Sequence, residues 1–321
     1  MNKICAGVDI SAHNREVDFK QLKSGKIKGL QIKFVMIRLS VNKSVDAKAI
    51  KNIYSALEAG LEVGVYHYSY AKNTAEAKAE AELVLKTIKD NKLDGKLSLP
   101  IAFDIEENEV FALGKEKCTA ICKAFMDTIS AANYQPMLYT FAAAYNTFLN
   151  KEELKSYSLW IAGFISENTL NNKFGIKNYS IWQFSVAGNP NYDIEVIGSV
   201  SGVKGQCDCN YLCEDLPAKI KAEGKNGFSP ENKQKSFSVT VGNIPSEILA
   251  KELLTYAKSK GLSGILSEEA PKNPEKPLKS IDEIAREVIQ GKWGNGSERK
   301  ERIEAAGYDF AAVQKRVNEL F

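Results

Sequence analysis

The chain has 321 residues, of which 44% are hydrophobic and 26% charged, a composition typical of a globular protein with more than one domain. Its 43 basic and 40 acidic residues leave a net charge of +3, and the absence of any basic block argues against nucleic acid as a partner. The longest apolar runs have only the length of a strand, which argues against insertion into a membrane.

The first residues, Met1-Asn2-Lys3-Ile4-Cys5-Ala6-Gly7-Val8-Asp9, run directly into a strand-like pattern. They lack the long apolar segment of a secretory signal peptide. We therefore expect a protein that is made in the cytoplasm.

Six cysteines occur, at positions 5, 118, 122, 207, 209 and 213. Zinc sites usually combine Cys-x2-Cys units with further cysteines or histidines, and the chain has only two histidines. We expect buried free thiols, and we expect neither a metal nor a cofactor.

Residues 1–215 alternate short apolar segments with amphipathic ones. Eight strands with only a few clear helices predict an α/β fold, a flattened TIM-like barrel that lacks some of its outer helices. The helical segments are 46–59, 74–90 and 115–132, and the strand segments are 4–10, 33–40, 62–69, 98–106, 135–140, 158–164, 179–185 and 206–212.

Two linkers are predicted after the barrel, which we assign to residues 1–220. Residues 221–235 are polar and rich in turn-forming residues, as linkers are. Residues 268–279 carry a proline at every third position from 271 to 277, which favours an extended polyproline II spacer.

Between these linkers, residues 236–267 are predicted to form a small β-α-β segment, with strands at 237–241 and 264–267 around a helix at 246–260. Such a unit has two exposed sheet edges and one uncovered face, so it is not stable alone. We expect it either to dock on the barrel or to join copies of the chain into a homo-oligomer.

Residues 280–321 have the pattern of three short helices. Ser280 and Glu283 have the spacing of a capping box at the start of the first helix. About 42 residues is close to the lower limit for independent folding, so we expect Trp293, Tyr308 and Phe310 to supply much of the core.

Two carboxylates lie in the apolar segment Leu99-Pro100-Ile101-Ala102-Phe103-Asp104-Ile105-Glu106. Strand alternation places Asp104 and Glu106 on one face, about 7 Å apart at Cα. They lie at the carboxyl end of the strand, where barrel enzymes keep their catalytic groups. By the same alternation Glu107, a rival acid, lies on the opposite face, and Glu109 lies past the strand.

Asp9 and Asp208 lie in short apolar strands of the same kind. An aspartate in that position either caps a turn or serves a site, because burying an unpaired charge is costly. Acid-assisted cleavage of a glycoside needs one protonated carboxyl and negative charge near the sugar. Neighbouring aspartates raise the pKa of Glu106 as a general acid requires.

Six motifs in this order resemble the glycoside hydrolase family 25 lysozymes over residues 1–215. They are Gly7-Val8-Asp9-Ile10-Ser11, Val63-Gly64-Val65-Tyr66-His67-Tyr68-Ser69, Phe103-Asp104-Ile105-Glu106, Leu159-Trp160-Ile161-Ala162, Ile181-Trp182-Gln183-Phe184 and Cys207-Asp208-Cys209-Asn210. One motif departs from the pattern: many members have Lys-x-Ser/Thr-Glu-Gly after the second strand, and this chain has Arg38-Leu39-Ser40-Val41-Asn42.

The resemblance implies an N-acetylmuramidase that cuts the β-1,4 bond between N-acetylmuramic acid and N-acetylglucosamine in peptidoglycan. It implies Glu106 as proton donor, with Asp104, Asp9 and Asp208 as the other site carboxylates. The family is thought to use the substrate's own acetamido group, which Asp104 orients. The residues themselves do not separate this route from a covalent one.

Aromatic and polar residues near strand ends are candidates for the sugar groove, because aromatic faces stack on pyranose rings. Ordinary barrel core is the alternative for each aromatic. His67 is expected to be a supporting hydrogen-bond partner and not a catalytic base. The candidates are Arg38, Tyr66, Tyr68, Tyr139, Trp160, Trp182 and Gln183.

Residues 280–321 resemble a Cpl-7-type cell-wall-binding repeat, on Ile284-Ala285-Arg286-Glu287-Val288-Ile289-Gln290-Gly291-Lys292-Trp293-Gly294-Asn295-Gly296, Glu298-Arg299-Lys300 and Ala306-Gly307-Tyr308-Asp309. That resemblance implies binding to peptidoglycan, with Trp293, Arg299 and Tyr308 as candidate contacts.

The leading hypothesis is a phage-type endolysin or autolysin, made without a signal peptide and acting on the cell wall after release. The alternatives are a catalytically silent wall-binding protein that uses the barrel as a carbohydrate scaffold, and a hydrolase of another N-acetylated glycan. The complete set of Asp9, Asp104, Glu106 and Asp208 favours the enzyme, because a decayed site is expected to lose a costly carboxylate.

Overall fold

The computed structural model describes residues 1–229, 246–259 and 279–320. The chain divides into two compact units, Met1–Ser236 and Phe237–Phe321. None of the described helices is long and apolar enough to cross a membrane.

The described part of the first unit contains ten strands. They are β1 Cys5–Ile10, β2 Lys26–Ile27, β3 Leu30–Val41, β4 Ser44–Val45, β5 Glu62–Tyr68, β6 Ile101–Asp104, β7 Pro136–Phe141, β8 Ser158–Ala162, β9 Ile181–Ala187 and β10 Cys207–Leu212.

Eight of these strands close into a barrel in the order β1-β3-β5-β6-β7-β8-β9-β10. Neighbours from β1 to β9 run parallel, whereas β10 runs antiparallel to both β9 and β1 and completes the ring. The short strands β2 and β4 pair with β3 outside the ring. The sequence-based prediction of an eight-stranded TIM-like barrel is confirmed.

Helices cover the outside of the barrel only in part, as expected. Three are long enough to pack along the strands: Ala49–Glu58, Thr74–Asp90 and Lys115–Ala131. The helices of this unit are α1 Phe19–Ser24, α2 Ala49–Glu58, α3 Thr74–Asp90, α4 Asn108–Phe111, α5 Lys115–Ala131, α6 Ala142–Phe148, α7 Lys151–Leu154, α8 Glu167–Asn172 and α9 Leu216–Ala222, and a 3₁₀ turn spans Ala12–Asn14.

Side chains from alternate strand positions form two cores. The outer core fills the space between strands and helices and includes Val35, Ile37, Phe103, Leu138 and Phe184. The inner core fills the barrel and includes Phe34, Met36, Leu99, Met137 and Trp160.

Gly7 in β1 makes room for this inner core. A Cβ atom at that position would lie 2.4 Å from the ring of Phe34, a distance that no side chain tolerates. The bulk that Phe34 places inside the barrel therefore requires glycine on the neighbouring strand.

Asn226 closes the amino-terminal end of the barrel. It is fully buried, and its side-chain amide donates to the carbonyls of Leu97 and Leu99 at 2.8 and 2.9 Å. Its side-chain oxygen accepts from the backbone N–H of Gln135 at 2.7 Å. The residue has a φ of +55°, which asparagine tolerates better than most residues do.

This arrangement differs from the linker predicted at 221–235. Helix α9, Leu216–Ala222, runs into the first residues of that segment, and Phe228 packs against the inner core. Part of this polar, turn-rich segment is buried at the end of the barrel. It can be buried because the side-chain amide of Asn226 donates to the carbonyls of Leu97 and Leu99. Residues 230–235 lie outside the described residues.

We expect Asn226→Ala to destabilise the barrel by about 2–4 kcal/mol, because it removes buried hydrogen bonds and leaves a positive φ to alanine. Asn42→Ala is the matched control, since Asn42 has a φ of +51° but is exposed. It should cost about 1 kcal/mol. Urea unfolding measures both changes; equal losses would show that the buried contacts of Asn226 contribute nothing beyond backbone strain.

The described part of the second unit consists of helices: α10 Glu247–Ser259, α11 Ile281–Ile289, α12 Gly296–Ala305 and α13 Phe310–Leu320. Ser280 and Glu283 form the predicted capping box of α11. Trp293, Tyr308 and Phe310 pack against a small core of α11, α12 and α13, as predicted. The strands predicted at 237–241 and 264–267 and the spacer at 268–279 lie outside the described residues.

Candidate active site

The four predicted carboxylates lie at one rim of the barrel. The parallel strands β1 and β6 bring Asp9 and Asp104 to their carboxyl ends, and Glu106 follows β6. Because β10 runs the other way, its second residue, Asp208, reaches the same rim and pairs in register with Asp9. Strands far apart in sequence thus converge on one acidic group.

Asp9 is only 6% exposed. Its Oδ2 accepts hydrogen bonds from the side-chain amides of Gln183 at 2.9 Å and Asn210 at 2.7 Å. Burial raises the pKa of Asp9 to about 6, although the hydrogen bonds from the two amides act in the opposite direction.

Asp104 is buried, and its Oδ1 has no hydrogen-bond partner among the described residues. Burial raises the pKa of Asp104 well above its usual range, and the charges of Glu106 and Asp9 raise it further. Arg38 opposes this effect through its positive charge. A buried, unpaired carboxyl oxygen is costly, so its presence points to a functional requirement.

Glu106 lies just beyond the end of β6 at Asp104, although the sequence predicted a strand to 106. It is half-buried, and burial raises its pKa; the hydroxyl of Tyr68 lowers it, whereas the charges of Asp9 and Glu107 raise it. Burial also raises the pKa of Asp208, and Asp9 and Glu106 add to the effect. The group as a whole therefore retains protons at a pH where separate carboxyls have lost theirs.

Glu107 belongs to the same group, which strand alternation did not predict. Since β6 ends at Asp104, the alternation no longer applies, and Glu107 accepts a hydrogen bond of 2.7 Å from the hydroxyl of Tyr68. Its charge contributes to the raised pKa of Glu106 and Asp104. The run of two glutamates after the strand was the available signal, but their orientation depends on where the strand ends.

Three of the predicted aromatic residues form the wall beside the carboxyls. Trp160 packs against Tyr139 at 4.4 Å and edge-on to Tyr66 at 5.9 Å between ring centroids. The Tyr139 hydroxyl donates to the side-chain oxygen of Gln183 at 2.9 Å. The Trp160 ring nitrogen donates to Asn210 at 2.8 Å, so the wall and the amides that hold Asp9 form one network.

Trp182 is not brought into this wall. Its side chain belongs to the outer core, and its ring nitrogen donates to the carbonyl of Gly163 at 3.0 Å. Because Gln183 points to Asp9, the preceding residue on the strand points the opposite way. The placement of Trp182 therefore contradicts its predicted contact with the sugar.

Arg38 lies near the carboxyls, but its guanidinium is paired with Asp46 at 2.8 Å. It acts on the group by its charge, and because only its Nε is bonded to Asp46, the predicted hydrogen bond to a sugar would come from the other guanidinium nitrogens. His67 is fully buried in the outer layer, where Ser40 lies 2.8 Å from its Nδ1 and Glu80 3.2 Å from its Nε2. That placement excludes contact with a bound glycan.

A sequence model of glycosyl hydrolases family 25 matches residues 8–191, more than half of the chain. The chain belongs to glycosyl hydrolases family 25. The match includes Asp9, Asp104 and Glu106 but ends before Asp208. A model of the CW_7 repeat matches residues 282–321.

Two curated lysozymes are similar to parts of this family 25 chain. The lysozyme of Streptococcus phage Cp-7 is 56% identical over 48 residues, which are 15% of this chain and 14% of that protein. The lysozyme of Lactococcus phage mv1 is 31% identical over 99 residues, which are 30% of this chain and 49% of that protein. The matched part is thus less than half of either relative.

Solved structures share the fold. The modular autolysin LytC of Streptococcus pneumoniae, described in complex with a synthetic peptidoglycan ligand, is 24% identical and superimposes with a TM-score of 0.51. The superposition covers 64% of this chain and 46% of that one. At this level of identity the likeness supports the barrel fold alone.

In the second unit, Trp293 and Tyr308 are half-buried and meet edge-on at 6.4 Å between ring centroids. Arg299 donates to the carbonyl of Gly294 at 2.9 Å and to the side chain of Asn295 at 2.7 Å, so it braces the start of α12. Across the described ranges of both units, no group of three or more His, Cys, Asp or Glu residues is placed to hold a metal ion.

Glu107→Gln should move the alkaline limb of the pH–activity profile to lower pH. Glutamine removes a negative charge that raises the pKa of Glu106. Glu106 then loses its proton at lower pH, which ends activity earlier if Glu106 is the general acid. Glu109→Gln is the matched control, because Glu109 is exposed and paired with Lys72. The measurement is the pH profile of kcat/KM on isolated glycan for wild type and both variants. If the three alkaline limbs coincide, the charge of Glu107 does not raise the pKa of Glu106.

Proposed function

We propose that the protein is a muramidase that hydrolyses the β-1,4 bond between N-acetylmuramic acid and N-acetylglucosamine in peptidoglycan. The observation that carries the proposal is the group of Asp9, Asp104, Glu106 and Asp208 at one rim, two of them buried and two half-buried, whose pKa values are all raised. Glycoside hydrolysis needs a carboxyl that is still protonated at working pH beside others that stabilise positive charge. Family membership and the lysozyme relatives support the same reaction.

We assign Glu106 as the general acid. Asp104 and Glu106 both have a raised pKa, and Glu106 is the more accessible of the two. It gives its proton to the glycosidic oxygen as the C–O bond breaks. Water then replaces the leaving sugar and returns a proton to Glu106 as it attacks. Asp9 and Asp208, across the rim, supply negative charge toward the oxocarbenium-like centre.

Asp104 is assigned to the substrate's acetamido group. Its Oδ1 has no protein partner in the described ranges, so it can accept the acetamido N–H. Ionised Asp104 is a stronger base than an ordinary aspartate because its pKa is raised. Proton acceptance from the N–H assists attack of the acetamido oxygen on the anomeric carbon, which needs no enzyme nucleophile. When water attacks that carbon and opens the ring, Asp104 returns the proton to the acetamido nitrogen.

Glu106→Gln should lower turnover by about 10²–10⁴-fold, because the amide keeps the shape but has no proton to donate. New reducing ends released from purified peptidoglycan are the readout, and borohydride labelling shows whether they are muramic acid. Glu109→Gln should behave like wild type. More than a tenth of wild-type turnover in the Glu106 variant would assign the acid elsewhere, and no reducing ends from wild type would favour a silent wall-binding protein.

The second unit is proposed to bind peptidoglycan and concentrate the barrel on the wall, with Trp293 and Tyr308 as candidate contacts. The CW_7 match at 282–321 supports this role. In a protein made in the cytoplasm, such action follows release through a breached membrane. The exposed apolar side chains of Ile248, Leu249 and Leu253 on α10 favour self-association through this unit, which would multiply the wall contacts.

A fragment of residues 1–229 should cut soluble glycan at a rate within about twofold of that of the full chain. It should lyse intact cells at least about tenfold more slowly, because it lacks the local concentration on the wall that the second unit supplies. Lysis is followed by turbidity. Equal lysis rates would show that the second unit does not target the enzyme. Light scattering of the same two proteins at tens of micromolar tests self-association, which two monomeric masses would refute.

A further inference from the structure

Two loops at the carboxyl end of the strands meet beside the acidic group. Phe164 lies two residues beyond the end of β8, and residues 188–206 join β9 to β10. The β8 and β9 strands are parallel to β6, so both loops lie at the rim that holds Asp104. The second loop leads straight into Asp208, the second residue of β10.

The first part of the loop 188–206, residues 188–198, is organised around Asp193. Its carboxylate accepts from the backbone N–H of Ile197 and Gly198 at 2.7 Å each, from that of Gly188 at 3.3 Å, and from the Ser185 hydroxyl at 3.2 Å. Although burial acts in the opposite direction, these bonds hold the pKa of Asp193 below its usual range. The loop is therefore built in advance of any ligand.

The same loop is tied at its outer side. Lys28, in the turn between β2 and β3, pairs with Glu195 at 3.3 Å. Val196, the next residue, has a φ of +50° and is 87% exposed. A β-branched residue is unfavourable in that conformation and persists there only because its surroundings enforce it.

The rigid loop presents apolar side chains to water. Tyr192, Ile194 and Val196 are 47%, 43% and 87% exposed. The ring of Tyr192 packs against Phe164 from the other loop, at 5.1 Å between centroids. An apolar patch that spans two loops and is held open at the rim of a site is typical of a binding surface.

We propose that Phe164 and Tyr192 form a platform that stacks on a hexosamine ring of the glycan strand, outside the pair of sugars that is cleaved. The proposal rests on the proposed muramidase function. A polysaccharide cut in its interior must continue past the carboxyls. Tyr192 lies close to that path, because its carbonyl accepts from the backbone N–H of Val186 at 3.2 Å and Val186 pairs with Asp208 in the sheet. The flat apolar faces of sugar rings match aromatic faces, whereas the platform's own aromatic pair carries no charge to recognise a carboxylate of the stem peptide.

The test is calorimetric titration of the Glu106→Gln protein with a peptide-free glycan octasaccharide of alternating N-acetylglucosamine and N-acetylmuramic acid. Adding Tyr192→Ala or Phe164→Ala should each raise Kd about tenfold, the effect of losing one aromatic stacking contact. Tyr192→Phe keeps the ring and should leave Kd within about twofold. Because the two alanine variants alter different loops, local misfolding of one loop does not explain a shared loss.

Tyr54→Ala serves as the matched control: Tyr54 is 40% exposed on α2 and should leave Kd unchanged. Unchanged octasaccharide binding by the Tyr192→Ala protein would overturn the platform. A loss of affinity confined to glycan that carries stem peptides would overturn it as well. The titration needs no turnover, so failure of the platform is distinguishable from failure of the muramidase proposal, which the release of reducing ends decides.

Discussion

The burial of several carboxyls at one rim constrains the whole barrel. Each would lie more favourably in water, and their charges repel one another. Asp9 is retained because Gln183 and Asn210 donate to it, and these amides are held in turn by Tyr139 and Trp160. The aromatic wall is therefore part of the support for the acids. The inner core below it must be tightly filled to keep those donors in place, as the contact between Phe34 and Gly7 shows.

Strand alternation predicted much of the fold and the position of three aspartates. Asp9, Asp104 and Asp208 all lie within strands, where the direction of a side chain follows from its position. The same rule predicts the orientation of Trp182. Because its neighbour Gln183 faces the acids, the side chain of Trp182 faces the other side of the strand. The motif that contains both residues drew attention to them together, but neighbours on a strand serve opposite faces.

The features that could not be predicted lie where the strands end. Glu106 and Glu107 follow β6, and their directions depend on the loop and on the hydroxyl of Tyr68. The pairing of Arg38 with Asp46, eight residues further along the chain, runs through a turn that no periodicity describes. Asn226 lies in a stretch with the composition of a linker, yet carbonyls from distant strand ends give it a buried role. Such contacts depend on the three-dimensional closure.

The antiparallel strand β10 also fixes when the acidic group comes into being. The two amides that hold Asp9 come from residues 174 and 201 positions later in the chain. The pairing of β1 with β3 needs only the first part of the chain, but Asp9 has neither amide donor until β9 and β10 are in place. Contacts of such long sequence separation form slowly. A chain that has not yet closed its ring of strands therefore lacks the complete acidic group, because Asp208 and both amide donors to Asp9 come from β9 and β10.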